Sequence, residues 1–190
     1  MRDFDPRAVG RLECRAWETY YRRRWPAFLV ASVSLVRHAF RMNWPRTLVG
    51  AWLVLRANQK WAPIPDNDPD AARTLMTRFY MLVRASEKEK LDPVHAAKLE
   101  VEWWRAHREA QYDGKPESAE ELIRALTDLY AYAYTADPAE VRRAAELRAG
   151  AMVVSDRWVE AGNDPANPLL AEERALLVRS YAALLAAVHR

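Results

Sequence analysis

Glu13 lies between Leu12 and Trp17 on what reads as one apolar helical stripe, and Glu100 lies between Leu99 and Trp103 in the same way. A carboxylate at such a position has to be paired, protonated or metal-bound, because burying an isolated charge is costly. Two chemistries follow. In the first, arginines answer the carboxylates; Arg73, Arg78, Arg174 and Arg179 are the candidate partners because they recur at matching positions along the chain. In the second, the two carboxylates approach each other, with His107 seven residues beyond Glu100, in a polar pocket walled by Trp17, Trp103 and Trp104. Where such a pocket has lost its symmetry, Asp156 and His107 are the residues to inspect. That arrangement suits acid–base work or a small apolar or aromatic ligand. The residue types leave enzyme and non-enzyme readings open.

Other chemistries fail on spacing. A di-iron bundle needs Glu-x-x-His on two helices, but Leu35, Asp92, Trp104 and Ala186 stand three residues before the four histidines. One cysteine and scattered histidines give no zinc spacing. Asp66-Asn67-Asp68-Pro69-Asp70 resembles the start of a calcium loop, but Ala71 and Thr77 replace its required Gly and Glu, so helix capping is the better account. Neither a glycine-rich phosphate loop nor a G-x-S-x-G elbow occurs. No metal and no cofactor is expected.

A separate signal is Tyr20-Tyr21-Arg22-Arg23-Arg24-Trp25, followed by an apolar run to Val36. The run either packs inward with the arginines solvated, or Arg22, Arg23, Arg24 and Trp25 meet an anionic surface such as a membrane. The basic residues come without a recognition helix, RNP-like or zinc motif, which argues against nucleic acid.

The elements that position these residues are helical. Only 5 Gly occur among 190 residues rich in Ala, Leu, Arg and Glu, and the length suits one domain with its own core. The chain also repeats itself. Phe4-Asp5-Pro6, Arg11-Leu12-Glu13 and Trp17 recur 87 residues later as Leu91-Asp92-Pro93, Lys98-Leu99-Glu100 and Trp104; Trp61 returns as Trp158, and Tyr80 as Tyr181. This predicts internal repeats at about 4–86 and 91–189 within a single domain spanning 1–190, each repeat holding four helices. Asp-Pro pairs open many of them, Asp capping and Pro taking the first helical position. Predicted helices run at about 6–24, 26–41, 45–61, 70–86, 93–111, 118–134, 138–161 and 168–188, with capping-box spacing at Ser118–Glu121 and Asp137–Glu140. A short linker at Glu87–Lys90 joins the halves, and Pro26 either starts a helix or kinks a longer one. The expected fold class is all-α, a compact bundle of about eight helices built from two pseudo-twofold-related four-helix repeats.

Charge divides unevenly: residues 1–63 carry 12 Lys/Arg against 4 Asp/Glu, and the remainder carries a net −5. Such bipolarity can guide an anionic partner to one face, or two copies head to tail. Cys14 stands alone, and neither a secretion signal nor a spanning segment is visible, so a cytoplasmic location is expected. The leading expectation is a helical protein-interaction or scaffold module with a protein partner or as a homodimer. The alternative is a small-molecule-binding protein or enzyme with its pocket where the two repeats meet.

Overall fold

A computed structural model describes residues 1–87, 90–113 and 115–189. Among the described residues all regular structure is helical: α1 (Pro6–Tyr21), α2 (Trp25–Phe40), α3 (Trp44–Trp61), α4 (Pro69–Glu87), α5 (Pro93–Asp113), α6 (Pro116–Tyr134), α7 (Pro138–Glu160) and α8 (Leu169–Val188). The all-α class is therefore as expected.

Proline places the starts. Seven of the eight helices carry Pro at the first or second position, where its missing N–H leaves no gap. Asp5, Asn43, Asp92 and Asp137 cap α1, α3, α5 and α7 by accepting backbone N–H bonds. Asp68 caps α4 by accepting from Ala71 N–H; Asp164 accepts from Ala166 N–H in a turn five residues before α8, whose first N–H donates to Asn167, so the second Asn-Asp-Pro segment forms a turn rather than the expected cap. Two further local expectations are corrected. Ser118 does not begin α6, because Pro116 starts the helix two residues earlier with Lys115 as its cap. Pro26 does not kink a continuous helix; α1 ends at Tyr21, Arg23 turns into the left-handed region (φ 55°), and α2 starts afresh at Trp25. Of the linker Glu87–Lys90, Glu87 belongs to α4, while Lys88 and Glu89 lie outside the described residues.

Successive helices pack on one another from α1 to α8, and α8 returns to pack extensively on α1, closing a ring. Gly10 permits that closure: a Cβ there would stand 2.7 Å from the backbone N of Val178 on α8. The main core runs through all the helices, with Met76, Val83, Leu122, Leu126, Val141 and Leu184 fully enclosed. A smaller cluster of Cys14, Ala151, Trp158, Leu170 and Leu177 joins α1, α7 and α8. No helix among the described residues is long and apolar enough to cross a membrane.

Candidate functional site

Glu13 is paired, but not with any of the four arginines expected. Its Oε1 accepts from Arg148 Nη2 at 2.8 Å, its Oε2 accepts from Tyr181 OH at 2.5 Å, and the residue is 4% exposed. Arg148 rides the buried stripe of α7 with Val141, Ala144, Ala145 and Met152, which carries its guanidinium into the core. It also donates to Tyr130 OH at 3.1 Å and lies 5.0 Å from the centre of the Trp103 ring. Burial opposes the Arg148 charge and the Glu13 carboxylate overrides it, leaving the guanidinium pKa well above its ordinary value. Of the expected partners, Arg73 pairs with Asp70 on its own helix instead.

Glu100 has a corresponding arrangement. Tyr80 OH donates to its Oε2 at 2.7 Å. Desolvation pushes the Glu100 carboxyl up from its usual pKa, against the pull of Arg148 and of the Tyr80 hydrogen bond. Burial, and then the adjoining carboxylate, keeps Tyr80 and Tyr181 protonated as donors. The two tyrosine–glutamate bonds join positions that match between the two stretches of sequence, Tyr181 with Tyr80 and Glu13 with Glu100. Arg148 supplies a single positive charge felt by both carboxylates. Glu13 and Glu100 are thus tied into hydrogen-bonded structure rather than left facing each other across an open pocket.

A narrow cleft does form beside this centre, between α1, α5, α7 and α8. Glu13, Trp17, Tyr21, His107, Ser155, Asp156 and Glu173 contribute to its wall, and its internal space is about 10 Å³, room for one water-sized group. It gathers four of the residues singled out from sequence, Glu13, Trp17, His107 and Asp156; Glu100, Trp103 and Trp104 are not on its wall. His107 Nε2 stands 3.4 Å from Asp156 Oδ2, close but without hydrogen-bond geometry, and Gln111 Nε2 donates to Asp156 Oδ1 at 2.6 Å.

Glu173 and Ser155 were not anticipated. Glu173 is 1% exposed and its Oε2 has no hydrogen-bond partner; Ser155 Oγ, also buried, has none either. Burial, and then Glu13, push the Glu173 carboxyl up to about 8, against the opposing charge of Arg174. The same environment pushes the Cys14 thiol up to about 12, burial first and Glu173 second. The signal for Glu173 was present in the sequence: it falls on the apolar stripe of Leu170, Leu177 and Leu184, as Glu13 does on α1. Among the described residues no three metal-ligating side chains converge.

The basic segment lies on the surface. Arg22 pairs with Glu18, whereas Arg23 and Arg24 are exposed. Trp25 does not pack inward; it is 54% exposed and touches Tyr20 and Phe28 edge-on. Ala31 and Val36 are the buried residues of α2, while Leu29 and Val30 face outward. On α3, Trp44, Leu48 and Trp52 repeat at four-residue spacing down one side and are each more than half exposed. Arg37 covers the Trp44 ring at 4.3 Å.

No family description, no curated protein and no solved structure matches this chain.

Proposed function

We propose that the protein is an interaction module whose working surface is the outer face of α2 and α3, and that this face docks on an anionic lipid surface. The observation that carries the reading is the coincidence of apolar exposure with an excess of positive charge. Trp25, Leu29, Val30, Trp44, Leu48, Val49 and Trp52 make up most of the large exposed apolar side chains; the others, such as Met81, Val94 and Val153, are scattered singly. The same stretch, residues 19–65, contains 8 Lys/Arg and not one Asp or Glu. Arg22 and Arg41 have acidic partners outside the stretch, Glu18 and Asp3, and Arg23 and Arg24 are exposed.

A lipid surface answers both features. Tryptophans and aliphatic side chains enter the headgroup–acyl boundary while arginines meet the phosphates, each cation adding about 1 kcal/mol near an anionic leaflet. A second copy answers only one. Self-paired α2–α3 faces would set like charges against each other, and the acidic half presents no matching apolar stripe to a head-to-tail copy. The lone Cys14 fits the same picture in a reducing cytoplasm, with the inner leaflet as target.

Co-sedimentation with vesicles containing phosphatidylglycerol, compared with pure phosphatidylcholine vesicles, tests this. Binding to the anionic vesicles only, weakened by salt and abolished by Leu48→Glu with Trp52→Glu, is the expected result; both positions are exposed, so the fold is untouched. Absence of binding to either vesicle overturns the proposal, as does a native dimer that the same two substitutions dissociate, which would make the face a protein interface.

A further inference from the structure

The cleft beside the Glu13–Arg148 pair has a different chemistry from the α2–α3 face, and its polar atoms point to a ligand of their own. The carboxylates around it are not equally answered. Glu13 is held by Arg148, and Glu18 by Arg15 and Arg22. The remaining carboxylates are Asp156, which has Gln111 and His107 on one side, and Glu173, which has Arg174 near it but an oxygen without a partner. Ser155 Oγ and His107 Nε2 are likewise unpartnered at the same cleft. Buried polar atoms without partners are rare, and several converging on one cleft mark a place built around a missing group.

We infer that the cleft binds the head of a primary ammonium compound, with the –NH3⁺ group donating to Glu173, Ser155 and Asp156 and its carbon chain leaving along Trp17 and Tyr21. The donor count fits. An ammonium group offers three N–H donors and no acceptor, and the cleft offers two carboxylates and a hydroxyl. Size fits as well, because –NH3⁺ fills about the space of one water and a quaternary ammonium does not. The wall fits in its turn: the Trp17 and Tyr21 rings stack at 6.1 Å with 26° between their planes, giving a flat aromatic side for an alkyl chain or a cation. A transition metal is a poorer occupant, since no three ligating side chains meet among the described residues.

Binding is coupled to protons. The groups facing Glu173 are Glu13, Cys14, Glu18 and Tyr21 on α1, His107 across the cleft on α5, Asp156 on α7 and Arg174 on its own helix, and their balance leaves its carboxyl mostly protonated at neutral pH. An ammonium ion entering the cleft favours the ionised carboxylate, so a proton leaves Glu173 for solvent as the ligand binds. Affinity therefore rises with pH until the free amine itself begins to lose its proton.

The test uses the full chain and n-butylamine as probe, followed by calorimetry and by Trp fluorescence, with tetramethylammonium, potassium and n-butanol as comparisons. Saturable binding of butylammonium alone is expected, with a heat that changes with the ionisation enthalpy of the buffer because a proton is released. Glu173→Gln and Ser155→Ala each weaken it about tenfold or more while the protein stays folded. Butanol binding as well as butylammonium, potassium competing equally, no saturable heat with any probe, or unchanged affinity in a folded Glu173→Gln protein would each overturn the assignment.

Discussion

Replacing Glu173 by Gln is expected to stabilise the protein by an amount that grows with pH. The carboxyl is 1% exposed, and burial, then Glu13, raise it from 4.5 to about 8. An acid whose folded-state pKa lies above its unfolded value binds protons more tightly when folded. Below 4.5 both states are protonated and the substitution changes little. Between 4.5 and 8 the unfolded chain has lost the proton while the folded one keeps it, so wild-type stability falls by about 1.4 kcal/mol per pH unit. Above 8 the loss is complete. Three and a half units give about 5 kcal/mol, and water entry together with side-chain relaxation brings the expected figure to about 2–5 kcal/mol. The amide keeps the shape and has no charge to desolvate, so Glu173→Gln escapes this loss. Urea unfolding of both proteins at a series of pH values, with equal m-values as the check on two-state behaviour, reads the difference directly. Two stability curves that run parallel across the window would refute the reasoning, since they would mean that Glu173 ionises as freely in the fold as in the unfolded chain.

Two further outcomes follow from the packing. Arg148→Ala should cost about 3–5 kcal/mol, because Glu13 would stay buried with only Tyr181 to answer it, and adding Glu13→Gln should recover part of that loss; additive losses in urea melts would show that the pair is not coupled. Gly10→Ala should cost about 1–3 kcal/mol or more through the clash with the Val178 backbone, and a variant as stable as wild type in the same melts would mean that α1 and α8 separate without penalty.

Much of this architecture was legible because prolines and Asp or Asn caps are local signals: they act within one turn, and the chain around them has little influence. The α6 start was misplaced because Ser118–Glu121 has capping-box spacing, yet Pro116 already fixes a helical φ two residues earlier. The burial of Glu13 was also legible, from its neighbours on the stripe. Its partner was not, since Arg148 is one of several arginines on α7 and only the three-dimensional closure of α8 and α7 on α1 selects it. Matching positions across the repeat suggested Arg73 and Arg174, but the repeat relates equivalent places rather than touching ones. The two tyrosine–glutamate bonds do fall at positions that the sequence match pairs. Glu173 shows the opposite lesson. Its stripe position was as informative as that of Glu13, but Glu172 and Arg174 flank it with charge, so the local sequence does not set it apart. For Trp25 and the following run, composition alone said apolar and could not say outward; that depended on α2 having only its Ala31 and Val36 side against the core.

The return of α8 onto α1 also orders events in time. Glu13 leaves the ribosome before its partners: Arg148 follows 135 residues later and Tyr181 168 residues later. Until both have been made, the first helix holds a carboxylate on the face it must bury, with no native partner for it. The contacts that satisfy Glu13 are therefore among the most non-local in the chain, the kind whose loop-closure cost slows folding. Shortening the chain within α8 would consequently injure its beginning as much as its end.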